Sequence, residues 1–302
     1  MEDRALQSCI KILPREMRGA VQAYCDAHAK RWEEIRLRAG RGLGLVCDGR
    51  EDELLLAGQP VPVTMQDLRT VLELATGASY QSASEQLRHG FYTMREGHRI
   101  GVSGSVAVQN GEIRAIREFS SLTIRVARQV KGILGELEQS LLVGGRFPST
   151  LILSPPGMGK TTLLRELIST LSDHFGMRIS LADERGEVAA LWRGVPQFAV
   201  GSRTDVLEGC PKAEGMLMLL RSMNPQVLCA DEITAPQDVD AISMAANCGV
   251  SVLASAHGDS LEELQRRTLY RALLAQQVFQ RVILIQRMAD GSRQYRMERI
   301  VC

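Results

Sequence analysis

The chain has 302 residues, 45% of them hydrophobic and 24% charged, which allows a full buried core and excludes wholesale disorder. Lysine and arginine total 36 against 35 for aspartate and glutamate, so no global basic field exists to drive non-specific nucleic-acid binding. The seven cysteines are scattered with no CxxC pair, no apolar run approaches the ~18 residues of a membrane helix, and the start has no signal-peptide core. The expectation is a reduced cytoplasmic protein that meets membranes only through partners.

Length favours two domains, with a smaller α+β domain over residues 1–130 and an α/β domain over 131–302, the boundary falling near 128–148. In the first, Thr64-Met65-Gln66-Asp67 has capping-box character, and Leu68, Val71, Leu72 and Ala75 follow at helical spacing, giving a helix over 64–76. The runs GHRIGVSGSVAV and EIRAIREFSSLTIRVA flank Asn110-Gly111, the dipeptide of a type I′ hairpin turn. This hairpin is rich in arginine (Arg99, Arg114, Arg117, Arg125, Arg128), which by itself reads as a solvated strand face.

From about residue 131, short apolar runs alternate with helical segments, the pattern of a parallel sheet. Strands are expected at 150–153, 178–182, 227–230, 250–255 and 281–286. Pro211 opens a helix carrying Met216, Leu217, Leu219, Leu220 and Met223 as a core stripe, ended by Asn224-Pro225. Asp290-Gly291 suggests a turn into a last strand over 294–301.

Ser154-Pro155-Pro156-Gly157-Met158-Gly159-Lys160-Thr161-Thr162 follows an apolar strand and opens a helix, the context of a phosphate-binding P-loop. Gly157 and Gly159 free backbone N–H groups to face phosphates, the helix start adds its positive dipole, Lys160 reaches the β and γ phosphates, and Thr161 ligates Mg²⁺. Ser154 replaces the usual first glycine. Hydrolysis also needs a carboxylate to activate water, and Asp231-Glu232 ends the apolar run VLCA where open α/β sheets bind ligands. Asp231 is assigned to the Mg²⁺ shell and Glu232 to the base, against the plainer reading of an acidic pair that caps a helix. His257 closes a further strand and reads either as a γ-phosphate sensor or as a structural histidine. Asp183 and Glu184 close the strand RISLA and point at the crevice, unless they pair with Arg185.

The assembled pattern resembles the secretion-ATPase superfamily of type II and type IV motors, and within it the stage III sporulation protein AA family. The resemblance covers nearly the whole chain and rests on EIRLRAGR (34–41), GHRIGVSG (97–104), SSLTIRVAR (120–128), SPPGMGKTTLLREL (154–167), DERGE (183–187), DVLEGCPKAEGM (205–216), RSMNPQVLCADEI (221–233) and ASAHG (254–258). It implies a RecA-like ATPase domain, preceded by an N-terminal domain whose arginines complete the site in a homo-oligomeric ring of six. Arg99 and Arg125 match the arginine-bearing strands of such motors, DERGE their acidic box with Glu184, and His257 their histidine box. The chain departs from them in having Asp231-Glu232 with Thr234 after it and three residues between Arg221 and Pro225, and it lacks the tetracysteine element of type II motors. The family further implies a mother-cell cytoplasmic setting, docked on integral membrane components of a sporulation channel. The expected function is Mg²⁺-dependent ATP hydrolysis that powers such a channel. The alternatives are a RecA-like ATPase on single-stranded nucleic acid, disfavoured by 4% aromatic content, and an ATP-gated scaffold with negligible turnover.

Overall fold

The computed structural model describes residues 4–28, 32–77, 80–288 and 291–300. The chain divides into two compact units, Met1–Arg128 and Gln129–Cys302.

The first unit carries helices α1 (Arg4–Ile10), α2 (Arg15–Ala27), α3 (Met65–Thr76) and α4 (Tyr80–Arg88). Its strands are β1 (Glu34–Arg38), β2 (Gly44–Cys47), β3 (Arg50–Glu53), the two-residue pair β4 (Leu55–Leu56) and β5 (Gln59–Pro60), β6 (Phe91–Thr93), β7 (Arg99–Gln109) and β8 (Glu112–Arg125). Six of them form one antiparallel sheet in the order β3-β2-β1-β8-β7-β6. The capping box at the start of α3 forms in both directions, Thr64 Oγ1 accepting from the Asp67 N–H and the Asp67 carboxylate accepting from the Thr64 N–H. The α3 residues Leu68, Val71 and Leu72 then share a core with Leu13 and Val21 and with Ile35, Leu37, Leu122 and Ile124 of the sheet. β7 and β8 meet at Asn110-Gly111, both with positive φ (54° and 78°), the backbone a type I′ turn requires.

The second unit is a seven-stranded sheet in the order β13-β10-β14-β15-β9-β16-β17, parallel throughout except for the last strand. The strands are β9 (Thr150–Ser154), β10 (Ile179–Asp183), β13 (Thr204–Glu208), β14 (Val227–Ala230), β15 (Ser251–His257), β16 (Arg281–Arg287) and β17 (Arg293–Arg299), with a small antiparallel pair β11 (Leu191–Trp192) and β12 (Val195–Pro196) between β10 and β13. Helices α5 (Lys160–Asp173), α6 (Lys212–Ser222), α7 (Pro236–Asn247), α8 (Leu261–Arg266) and α9 (Thr268–Ala275) connect them. Alternate strand residues feed two separate cores, as a sheet covered on both faces demands. Leu151 and Leu153 pack with α6, α7 and α9, whereas Ile152 packs with Leu163, Leu164, Leu167 and Ile168 of α5.

Several expectations need correction, among them the strand expected over 250–255, which runs over Ser251–His257. Asp183 is the last residue of β10, one position later than the apolar run suggested. β13 was not expected as a strand. Met216 and Leu219 are core, but Met223 is 45% exposed because α6 has already ended at Ser222. The turn expected at Asp290 and the strand end at 301 lie outside the described residues, and β17 itself begins one residue early, at Arg293.

Candidate functional site

β9 is buried along its whole length, so the chain leaves the sheet only at Ser154 and must turn back into α5 within five residues. Gly157 (φ 75°) and Gly159 (φ 89°) supply the left-handed backbone for that turn. Ser154 keeps strand backbone, buries its side chain and donates its hydroxyl to the Pro155 carbonyl, which explains why this position does not need glycine. Met158 packs on the core beneath the loop. The first-turn N–H groups of α5 begin at Lys160, immediately after the loop.

Parallel strands put their carboxyl ends on one edge, and the ends of β14 and β15 meet beside this loop. Asp231 follows β14. Its Oδ1 accepts from the Ser255 hydroxyl (2.8 Å) and the Glu232 N–H (2.9 Å), which turns Oδ2 toward Thr161 Oγ1 at 3.2 Å. His257 ends β15, in register with Ser154, and its imidazole Nδ1 lies 2.6 Å from Lys160 Nζ. Its Nε2 stands 3.4 Å from Glu232 Oε1. Lys160 is 7% exposed, and burial holds its ammonium pKa below the ordinary lysine value while Glu232 and Asp231 pull it the other way.

The segment after Asp231 is held from below. Tyr270 donates its hydroxyl to the Ile233 carbonyl at 2.6 Å, and Asp238 accepts the N–H groups of Thr234 and Ala235 at the start of α7. Lys212 opens α6 with 6% exposure, donates to the Glu232 carbonyl and lies 3.5 Å from Glu184 Oε2. This lysine, absent from the sequence-based candidates, lines one pocket with Asp183, Glu184, Arg185, Glu187, Asp231, Glu232 and Thr234.

Asp183 does not aim its carboxylate outward as expected. It is buried and accepts the N–H groups of Glu187 (2.9 Å), Val188 (3.1 Å) and Ala189 (2.8 Å), so it shapes the loop that carries Glu184. Burial pushes its carboxyl above the usual aspartate range, against the pull of those N–H groups. Arg165 of α5 holds the same loop from the other side, donating to the carbonyls of Val188 (2.7 Å) and Glu187 (2.8 Å) with its guanidinium over the Phe198 ring. Glu184 pairs with Lys212.

Arg99 and Arg125 belong to the first unit, where they are direct cross-strand partners on β7 and β8. The Arg99 guanidinium lies 3.6 Å over the Phe91 ring, and Arg125 Nε lies 3.3 Å from Glu34, its neighbour on β1. Arg125 remains 67% exposed, so most of its surface is available for another ligand.

The residues also suit a hard cation. No group of three or more His, Cys, Asp or Glu side chains fit to hold a metal occurs among the described residues. A hydroxyl and one carboxylate 3.2 Å apart beside a glycine-turned loop suit Mg²⁺, which takes much of its coordination from phosphate and water.

The model of the family described as sporulation stage III, protein AA matches residues 3–296. The chain belongs to that family. Stage III sporulation protein AA of Bacillus subtilis (strain 168) is 37% identical over 281 residues, spanning 92% of this chain and 90% of that protein. Among solved structures, the pilus retraction motor PilT with bound ADP superposes with a TM-score of 0.61 at 16% identity, covering 93% of this chain and 83% of that one. The Yersinia pseudotuberculosis ATPase DotB gives 0.59 at 14% identity, covering 94% and 79%. At such identities the likeness shows a shared fold. This sporulation-family chain is therefore a mixed α/β protein with the fold of secretion-type P-loop ATPases. No helix among its described residues is long and apolar enough to cross a membrane.

Proposed function

We propose that this chain is a Mg²⁺-dependent ATPase that assembles into a ring, a hexamer by analogy with secretion motors, and drives a membrane-embedded sporulation assembly from the mother-cell cytoplasm. The observation that carries the reading is the Thr161 hydroxyl 3.2 Å from Asp231, on a glycine-turned loop whose lysine is directed at the same edge. Residues 154–162 bind the phosphates. Bound Mg²⁺, held by Thr161 and Asp231, supplies charge neutralisation on the phosphate oxygens. Glu232 sits on the same edge as a base for the attacking water, with its backbone fixed by Lys212 and its carboxylate beside His257. Glu184 borders the same pocket. Arg99 and Arg125 stabilise developing charge from a neighbouring subunit, a contribution of about 10³ to 10⁵ in rate where such arginines act. The coupling to membrane components rests on family membership.

The test is specific ATPase activity with Mg²⁺ over a wide range of protein concentration. Activity per subunit should rise to a plateau as subunits assemble, because the site is completed in trans. Absence of turnover at every concentration, with ATP bound, would sink the enzymatic reading and leave an ATP-gated scaffold.

A further inference from the structure

β16 runs parallel to β9, so it ends at the same carboxyl edge as the phosphate loop, and β17 starts there at Arg293. The Arg293 guanidinium lies against Gly159. A Cβ built on Gly159 would stand 2.8 Å from Arg293 Nη1 and 3.2 Å from its Cζ. The side chain is exposed, and no carboxylate pairs with it among the described residues. Its cross-strand partner is another cation, Arg287.

Two positive features therefore meet on this side of the loop: the Arg293 fork and the N–H groups at the start of α5. β9 lies between β15 and β16. Asp231, Glu232 and His257 occupy the β15 side and Arg293 the β16 side, so the loop is bracketed by carboxylates on one flank and a guanidinium on the other. A triphosphate on this loop must direct its terminal phosphate toward the carboxylates and Mg²⁺. The Arg293 flank then faces the phosphates nearer the ribose.

We propose that Arg293 is a nucleotide-binding residue in cis, its guanidinium gripping the part of the phosphate chain that ADP and ATP share. This rests on the nucleotide-site reading above. It separates Arg293 from Arg99 and Arg125, which are proposed to act on the transferred phosphate from another subunit. Arg293 secures the ligand before and after hydrolysis, so its loss weakens ADP and ATP alike.

Calorimetric titration of the full chain with Mg²⁺ and ADP tests this. Arg293→Ala should raise the ADP Kd by about tenfold or more, as expected for one charge-assisted contact to phosphate. Arg293→Lys, which keeps the charge and loses the planar fork, should fall between the two. In ATP turnover the larger share of the loss should appear in KM rather than in kcat. Unchanged ADP affinity in Arg293→Ala, with the wild-type protein binding ADP, would overturn the role of Arg293 alone. Folded wild-type protein that binds no ADP overturns the nucleotide-site reading itself, and Arg293 with it. The side chain is solvent-exposed, so both variants should fold, and an unchanged melting temperature checks that.

Discussion

Lys160 Nζ lies 2.6 Å from Nδ1 and 3.1 Å from Nε2 of the His257 imidazole, whose Nε2 also stands 3.4 Å from Glu232 Oε1. An ammonium can only donate, and here its partner is an imidazole that carries no formal negative charge. A phosphate oxygen offers Lys160 a charged acceptor in its place. Lys160→Ala should therefore abolish nucleotide binding. His257→Ala should keep ADP affinity and lower kcat by about tenfold to a hundredfold, since it removes a neighbour of the base and not a phosphate ligand. Equal loss of affinity in both variants, measured by calorimetry, would show that His257 binds nucleotide directly.

Lys212 and Glu232 make a second pair open to test. Glu232→Gln should bind ATP and stall, with kcat down by about 10² to 10⁴. Lys212→Met keeps the aliphatic stem and removes the ammonium that holds the Glu232 carbonyl and faces Glu184. Its ADP affinity should stay within about threefold while kcat falls by about tenfold. A melting curve separates misfolding from misplacement. Normal turnover in Lys212→Met would mean that Glu232 is positioned by Asp238 and Tyr270 without it.

The loop after β10 should be a stability element as well as a wall of the site. Arg165 is buried, with its pKa held down to about 10 by desolvation, and donates to two main-chain carbonyls. Asp183 accepts three N–H groups of the same loop. Arg165→Met or Asp183→Ala leaves buried backbone groups without partners, at a cost of about 3 kcal/mol each. Urea denaturation should show this. Because the two side chains hold one loop, the double variant should cost less than the sum.

The strands around the glycine-turned loop were legible because each is a run of four or five buried residues, most of them apolar. β13 was missed because it is an edge strand, half-buried, with Thr204, Asp205 and Glu208 breaking the apolar run. Asp231 and Glu232 could be read as a pair, since both directly follow such a run. The inward turn of Asp183 could not, because it depends on N–H groups up to six residues later. Lys212 and Arg293 escaped for a common reason: a lone cation at a helix start or next to a turn is ordinarily solvated, and only tertiary packing brings each against the site.

His174 caps the end of α5 and lies 2.6 Å from Glu138 Oε1. The Glu138 carboxylate raises the imidazole pKa above the ordinary histidine value of about 6.5. The folded pKa exceeds the unfolded one, so stabilisation by this contact is complete below the unfolded value and is lost as pH rises through the folded value. NMR titration of the His174 ring should give the raised value, and Glu138→Gln should return it toward the ordinary range. An unchanged titration in Glu138→Gln would assign the shift elsewhere.

Arg99, Arg125 and Glu34 stand in one cross-strand row, with Arg125 between the other two. The Glu34 carboxylate lies 2.9 Å from Arg36 and 3.3 Å from Arg125, which orients the Arg125 stem and leaves the guanidinium largely exposed. Arg99 is instead covered on one face by Phe91. If these arginines serve a neighbouring subunit, Arg125→Ala and Glu232→Gln break opposite halves of one composite site. Each variant alone should be nearly inactive. Mixed subunits create interfaces where an intact Arg125 from the Glu232→Gln chain meets an intact Glu232 from the Arg125→Ala chain, and turnover should reappear there. The same mixing with Arg99→Ala decides which arginine reaches across. A mixture no more active than its components, although the subunits co-assemble by light scattering, would place these arginines outside the neighbour's site.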